Sequence, residues 1–470
     1  MSAPAPRPAV LFVGLRKNPL EHRPAFEAAH REGYAVVLLT ARPPAALPPA
    51  GLPGALLAEV RAVDPHDTAA FDAAVDEAAA AHPVAGVVTW SDAGVEPAAR
   101  AAHRLGLPGI EPEVARLARN KYLMRQALAG CPHLIPRYAR VRTLRDAEQA
   151  LEHVGLPAVL KPAAGSGSKG IFLLRSARDL LPAFAELARL TGADGDSIFR
   201  HDRGELVLEE LLGGTEHSVE GFVHQGEVTV CGITDKTTTE PFRLELAHLH
   251  PSVLPAAAGS AVRALTREVV TALGFDDCAF HLECMYDAES GARLVEVAAR
   301  AGGDFIGSHL VGLASGIPFH ENVIRVATGR APRLPNRPLL HAGLRKVMAP
   351  VAGRLVRVEG VDTALAVPGV QHVVLDRAPG TTVKLPPEHF SSCAIGAVMA
   401  TGDTAASVEG SLLTATDAIR VEIAPQPARR TAEGASTCGS PAPTTPRETT
   451  PTRAAEPDSS PSPASSAFQE

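Results

Sequence analysis

Residues 280–297 of this 470-residue chain read as two short strands closed on each other by a tight turn, which leaves their pairing little freedom. Phe280, Leu282 and Cys284 fall on one side of the first arm, and Val295 and Val297 on one side of the second. Asp287, Ser290 and Gly291 supply the turn. A register centred on Glu289 and Ser290 sets Glu283 directly across from Glu296, on the same face of the sheet. Like charges in directly opposed positions destabilise a sheet, so the pair predicts a cation held between two carboxylates. Hard oxygen ligands, few in number, point to Mg²⁺ shared with phosphates rather than a closed protein cage. Taken alone, the segment also reads as a solvated hairpin face carrying two unrelated acids.

The length allows about two to four domains with a large core. A hydrophobic content of 45% describes a soluble globular protein. The net charge of −7 is small for this length and no basic stripe is present, which disfavours nucleic-acid and anionic-membrane partners. Only seven residues are lysine against abundant arginine, so each lysine is worth locating. Cys131, Cys231, Cys278, Cys284, Cys393 and Cys438 are scattered with no Cys-x-x-Cys pair, the usage expected of reduced thiols in a cytoplasmic protein. The N-terminus runs into one apolar strand too short for a signal-peptide core, and no stretch reaches the length of a membrane span.

Along the chain, strands at Val10–Val13, Ala35–Leu39 and Gly86–Thr89 alternate with helical stretches at 24–33 and 71–81, a pattern for a parallel sheet covered on both faces. The Pro-rich stretch 43–54 reads as a surface loop. One helix is expected over residues 112–130, and strands at 157–162 and 171–174 bracket a glycine-rich segment. Strands and glycine turns alternate over 204–232, and helices are expected at 260–274 and 319–329. Residues 339–423 read as a small α+β module with a helix at 405–418. Beyond Pro425 the composition cannot bury a core and predicts a disordered tail.

Gly165-Ser-Gly-Ser-Lys-Gly170 matches the dinucleotide pattern Gly-x-Gly-x-x-Gly, but that motif requires a helix after the glycines, and here a strand follows. The loop therefore joins two antiparallel strands. Backbone N–H groups around Gly167 and the hydroxyls of Ser166 and Ser168 suit phosphate oxygens, and Lys161 on the preceding strand can reach them as a point charge. A flexible surface hairpin is the plainer alternative. The sequence has no Gly-Lys dipeptide, which excludes a Walker A loop. In Leu206–Glu216, strand residues leading into a turn can present backbone groups to an adenine edge, and a carboxylate a few residues later can accept both ribose hydroxyls; a solvated strand end is the alternative.

In this order the segments resemble the ATP-grasp superfamily over about residues 8–424, carried by Asn120–Arg125, Val159–Pro162, the glycine loop, Glu209–Leu212 with Glu216, then Glu283 and Glu296 with Arg300. The resemblance implies an α/β and α+β architecture. An N-terminal doubly wound parallel-sheet domain (1–112) would precede a two-part ATP-grasp domain (113–330), with a lid-type part (113–205) and a metal and substrate part (206–330). A small C-terminal α+β domain (331–424) and a disordered tail (425–470) would complete the chain. By the same resemblance, Lys121 and Lys161 bind ATP phosphates, Glu210 and Leu212 meet adenine through their backbone, Glu209 supports its amino edge and Glu216 takes the ribose. Glu283 and Glu296 would hold one or two Mg²⁺, or Mn²⁺ in their place.

Ile233–Lys236, Leu244–Ser252 and Arg300–Ile306 are similar to segments of the bacterial L-amino acid ligases that make dipeptides. In that comparison Glu245 and His248 line the amino-acid pocket, and Arg300 and Gly303 orient an acyl phosphate. Glu245 and His248 also fit a helical or turn face at the surface. The implied activity is ATP-dependent joining of a carboxylate to an amine, both small molecules, in an enzyme that is a homodimer if it follows its relatives. Ala298 stands where the superfamily usually has Asn, two residues after the second metal glutamate. It motivates a contrasting reading, an ATP-binding regulatory or scaffold protein with weak catalysis. A third is a ligase for a non-amino-acid carboxylate.

Overall fold

The computed structural model describes residues 7–16, 18–42, 54–193, 195–199, 203–335 and 340–425. The loop expected at 43–54, apart from its last residue, and the tail expected to be disordered lie outside them. Strands β1 (Ala9–Val13), β2 (Ala35–Thr40), β3 (Leu57–Ala62) and β4 (Val84–Thr89) form a parallel sheet in the order β3-β2-β1-β4. β1 is apolar at every position because both its faces are covered. Val10 and Phe12 join one core cluster while Ala9, Leu11 and Val13 join another. The first helix, Pro19–Arg31, starts earlier than the expected Pro24, because Asn18 caps it by accepting from the Leu20 amide at 3.0 Å and Pro19 takes the first helical position.

The single helix expected over 112–130 is two, Pro112–Arg119 and Lys121–Ala127. Asn120 breaks it with extended backbone (φ −117°, ψ 112°), caps the second piece by accepting from Leu123 N, and donates to Glu205 at 2.7 Å. The break makes Lys121 the first residue of the second helix. β5 (Tyr138–Val141), β6 (Ala158–Pro162), β7 (Phe172–Leu174) and β8 (Leu206–Glu210) then form an antiparallel sheet, ordered β5-β8-β6-β7. The glycine segment joins β6 to β7, so it is the hairpin loop its flanking strands predict.

Chain order continues with β9 (Thr215–His224), β10 (Glu227–Thr238), β11 (Glu245–His250), β12 (Cys278–Asp287), β13 (Gly291–Ala298), β14 (His341–Met348), β15 (Gly353–Glu359), β16 (Val370–Leu375), β17 (Thr382–Val383), β18 (Ala394–Gly402) and β19 (Arg420–Ala424). Eight of these form the central sheet, ordered β13-β12-β9-β10-β11-β14-β18-β16, while β17-β15-β19 make a separate small one. The central sheet runs across the boundary expected at residue 330, since β14 pairs with β11.

Two bulges in this sheet decide which side chains face the cleft beside it. In the β12–β13 hairpin, Asp287 pairs with Gly291 and Cys284 with Leu294, a register centred on Glu289 and tighter than expected. A bulge at Val295 then restores the pairing of Glu283 with Glu296. The same bulge puts Leu294 and Val297, rather than Val295 and Val297, in the core with Leu282 and Cys284. Glu245–His248 lies in strand β11 and not on a helix or turn. There Thr238 pairs with Glu245 and Thr237 with Ala247, so a bulge at Leu246 brings Glu245 and His248 to one face despite their odd spacing.

Candidate active site

Between the β5–β8 sheet, the lid, and the central sheet lies an open cleft, with about 950 Å³ of space when the solvent at its mouth is counted. Val159, Ile171 and Leu173 from the lid and Met285 and Leu294 from the central sheet give it apolar walls. Glu210, Leu211 and Leu212 line it where β8 turns toward β9. The Leu211 amide is spent on Pro157 O and the Glu210 amide on Arg137 O, which fixes this turn against the lid. Ser166, Gly167, Ser168 and Lys169 line it from the lid's glycine loop.

Four lysines converge around this space, each on a carboxylate. Lys121 Nζ lies 2.6 Å from Glu296, and Lys161 Nζ 2.7 Å from Glu209. Lys169 Nζ lies 2.5 Å from Asp196. Lys236 is held by three, with Glu283 at 2.5 Å, Glu245 at 2.9 Å and Glu216 at 3.1 Å. Burial alone would lower its pKa, but Glu245, Glu283 and Glu216 raise it well above the ordinary lysine value. Lys161 is the opposite case: burial holds it below its ordinary value, Glu209 only partly offsets this, and Arg125 and Lys121 push it further down. A buried ammonium so placed gains from an incoming phosphate.

Sequence reasoning gave Lys236 a place in a motif but no role. Its register supplies one: it pairs with Glu216 on β9 and with His248 on β11, and so stands in the middle of the row of charges on the cleft face. Lysine scarcity was the available signal, since Lys121, Lys161 and Lys236 come from distant segments and meet here. Arg125 was likewise unassigned. Fully buried, it lies 3.0 Å from Glu209 of the lid and donates to Val295 O of the central sheet at 2.6 Å, bridging the two walls. Glu209 is thereby committed to Lys161 and Arg125; burial would raise its pKa, but these two cations lower it. Glu216 is held by Lys236 and, at 2.6 Å, by Arg243.

Glu283 and Glu296 share the cleft wall. Beside them Ala298 pairs with His281, whose Nδ1 lies 2.5 Å from Glu220 and whose Nε2 lies 3.2 Å from Glu283. Burial would lower the His281 pKa, but Glu220 and Glu283 raise it to about 9, so this ring is a cation beside the carboxylates. Two opposed carboxylates fit a hard divalent cation completed by waters or phosphate oxygens, and the Ala298–His281 pair adds no third oxygen.

Arg300 and Gly303 do not line this cleft. Arg300 is 7% exposed, and its Nε and Nη2 pair with the two carboxylate oxygens of Asp92 at 3.0 and 2.9 Å, in the loop after β4. Arg16, in the loop after β1, donates to Ala301 O and Gly302 O, and the Gly302 amide donates to Glu220 at 2.8 Å. The Arg300–Gly303 turn is thus fixed from the carboxyl ends of parallel strands, where open α/β sheets place ligands. Beyond it Asp304 and Phe305 both have left-handed backbone (φ 47° and 63°), an unfavoured arrangement for two successive non-glycine residues. Asp304 lies 2.6 Å from Lys346 and 3.7 Å from His248. Ligand atoms of Glu245, His248 and Asp304 all fall within 4.8 Å of one another, spacing that could hold a cation, although Lys236 and Lys346 already neutralise the two carboxylates. His248 is buried, its Nε2 3.5 Å from Glu245 Oε2 as well as near Asp304, and neither ring nitrogen nor Glu245 Oε2 is within a well-formed hydrogen bond.

Two sheets closing on a lysine-lined cleft define an ATP-grasp fold; residues 154–309 match the ATP-grasp domain, and 26–109 the ATP-grasp N-terminal domain. Residues 345–424 match L-amino acid ligase C-terminal domain 2, so the chain belongs to the ATP-grasp superfamily and carries the C-terminal segment of the L-amino acid ligases. The crystal structure of L-amino acid ligase from Bacillus licheniformis superposes with a TM-score of 0.74 at 23% identity, covering 89% of this chain and 99% of that one. The alanine–anticapsin ligase of Bacillus subtilis (strain 168) is 30% identical over 232 residues, 46% of this chain and 48% of that enzyme. Carnosine synthase 1 of Homo sapiens is 30% identical over 264 residues, 53% of this chain and 31% of that protein. The match thus spans about half and about a third of the length of those two relatives. Among the described residues no helix is long and apolar enough to cross a membrane, and the five described cysteines are free thiols.

Proposed function

We propose that this chain joins a carboxylate to an amine at the expense of ATP, through an acyl phosphate, and that both substrates are amino-acid-like. The observation that carries this is Lys236, whose ammonium ties the cleft carboxylates Glu216 and Glu283 to Glu245, which lies beside buried His248. One buried cation thereby connects the carboxylates of the cleft wall to the cluster of Glu245, His248 and Asp304.

In this reading Lys121 and Lys161 neutralise ATP phosphates under Ser166, Gly167 and Ser168, and the backbone of Glu210 and Leu212 meets the adenine. Glu216 takes the ribose with the acceptor capacity its two cations leave free. Glu209 positions Lys161 instead of supporting the adenine amino edge, because Lys161 and Arg125 engage it. Glu283 and Glu296 would hold Mg²⁺, which when bound spreads the triphosphate charge. Lys236 then neutralises the phosphoryl group as it passes to the substrate carboxylate. Arg300 and the Gly303 turn orient the acyl phosphate from the side fixed by Asp92. The amine attacks the activated carbonyl, phosphate departs, and Glu245 accepts the proton the amine loses.

ADP release measured over pairs of amino acids, with mass spectrometry of the products, tests this: a condensed amide in step with ADP is expected. ADP and phosphate without any condensed product would sink it. Ala298 supports the contrasting reading of a weakly catalytic ATP binder. That reading expects equal residual turnover in the parent and in Glu296→Ala, whereas the ligase reading expects the variant to lose it.

A further inference from the structure

Of the four cleft lysines, three are paired with carboxylates that themselves line the cleft, and one is not. Lys121, Lys161 and Lys236 rest on Glu296, Glu209 and the Glu216, Glu245 and Glu283 group. Lys169, in the glycine loop and itself on the cleft wall, rests on Asp196, which is outside the wall. Asp196 belongs to the turn that follows the lid helix Leu180–Thr191. Its Oδ1 accepts from the Ile198 amide at 3.1 Å, and its carbonyl accepts from the Phe199 amide. The ring of Phe199 packs so closely under Gly165 that a Cβ there would fall 2.9 Å from it. At the other end, Gly170 is seated against Leu187 and Leu190 of the lid helix. The loop is therefore anchored at both ends by apolar packing. Between these ends Gly167 is exposed and Ser168 has left-handed backbone (φ 56°), and the Lys169–Asp196 pair is the side-chain tie that the tip makes to the lid.

Resting on the nucleotide reading of the cleft, we propose that Lys169 is a further phosphate-binding residue, held on Asp196 until a nucleotide with β- and γ-phosphates arrives and then transferred to those phosphates. The pair is only partly buried, with side-chain exposures of 11% and 20%, so exchanging one carboxylate for a polyphosphate of greater charge favours the nucleotide-bound arrangement. Keeping the ammonium on Asp196 until then avoids adding an uncompensated positive charge beside Lys161, whose own protonated form burial already disfavours.

Binding of ATP, ADP and AMP with Mg²⁺, measured by calorimetry on the full chain, tests the transfer. Lys169→Gln is expected to weaken ATP by about tenfold, the scale of one lost charge-assisted contact, and to leave AMP unchanged. Lys169→Arg should recover most of the ATP affinity. Asp196→Asn keeps the acceptor for Ile198 N and should bind ATP as tightly as the parent or more so, because it frees the ammonium. The proposal is overturned if Lys169→Gln leaves ATP within twofold, if it weakens AMP as much as ATP, or if Asp196→Asn weakens ATP as Lys169→Gln does. A parent chain that binds none of the three nucleotides sinks the reading of the cleft and the transfer together, whereas normal parent binding with an insensitive Lys169→Gln sinks the transfer alone.

Discussion

At the scale of single residues, Lys236 has the clearest consequence. Its removal leaves Glu216, Glu245 and Glu283 without the cation they share. Lys236→Met is therefore expected to cost about 3–5 kcal/mol in urea denaturation, as breaking a buried ion pair does, and to lower turnover by about a thousandfold through lost charge stabilisation. A variant with parental stability and turnover would show that the lysine is a bystander. His250 gives a separate prediction. Burial lowers its pKa to about 4, against the partial opposition of Glu220 and Asp235, and its Nδ1 lies 3.0 Å from Thr234 Oγ1. The ring is neutral in the fold and takes up a proton more readily when unfolded. Its contribution is thus full above the unfolded value near pH 6.5 and is lost as pH falls toward 4, by about 3 kcal/mol. Unfolding free energies from denaturant titrations at pH 7 and pH 4 should fall by that amount more in the parent than in His250→Gln.

At the scale of elements, the bulges at Val295 and Leu246 do the placing. Side chains alternate along a strand, so residues an odd number apart face opposite ways unless one residue is left unpaired. Val295 is the unpaired residue, so deleting it should leave Glu296 opposite Glu283 in an unbulged ladder. Mg²⁺-dependent ATP binding, measured by calorimetry, is therefore expected to survive the deletion, and its loss would show that the bulge itself, beyond the pairing, places Glu296. The hairpin and the opposed glutamates were legible in the sequence because turn residues and alternation are local signals. The bulge was not, since an extra residue in a short apolar run looks like any other strand residue until its partner strand is known. The break at Asn120 was obscured in a similar way: the apolar pattern on either side fits one helix, and the donor bond from Asn120 to Glu205 spans 85 positions.

At the scale of the whole molecule, the C-terminal segment completes the central sheet. β14 covers the edge of β11 and carries Lys346 to Asp304. Truncation after Arg330 is therefore expected to expose a bare strand edge and to give an aggregating product, checked by size-exclusion chromatography and circular dichroism; a soluble fragment with cooperative unfolding would contradict it. The sequence was enough to identify the ATP-grasp architecture, the glycine-rich hairpin loop, the lysine-bearing segments and the facing glutamates, because each depends on residues close together in the chain. Only the tertiary structure decided which charges meet: Lys236 among three carboxylates, Arg125 between two sheets, and Arg300 on Asp92 rather than on the cleft wall. Those contacts join residues from separate strands and loops, and a charge carries no sequence mark of its partner until folding removes both from water.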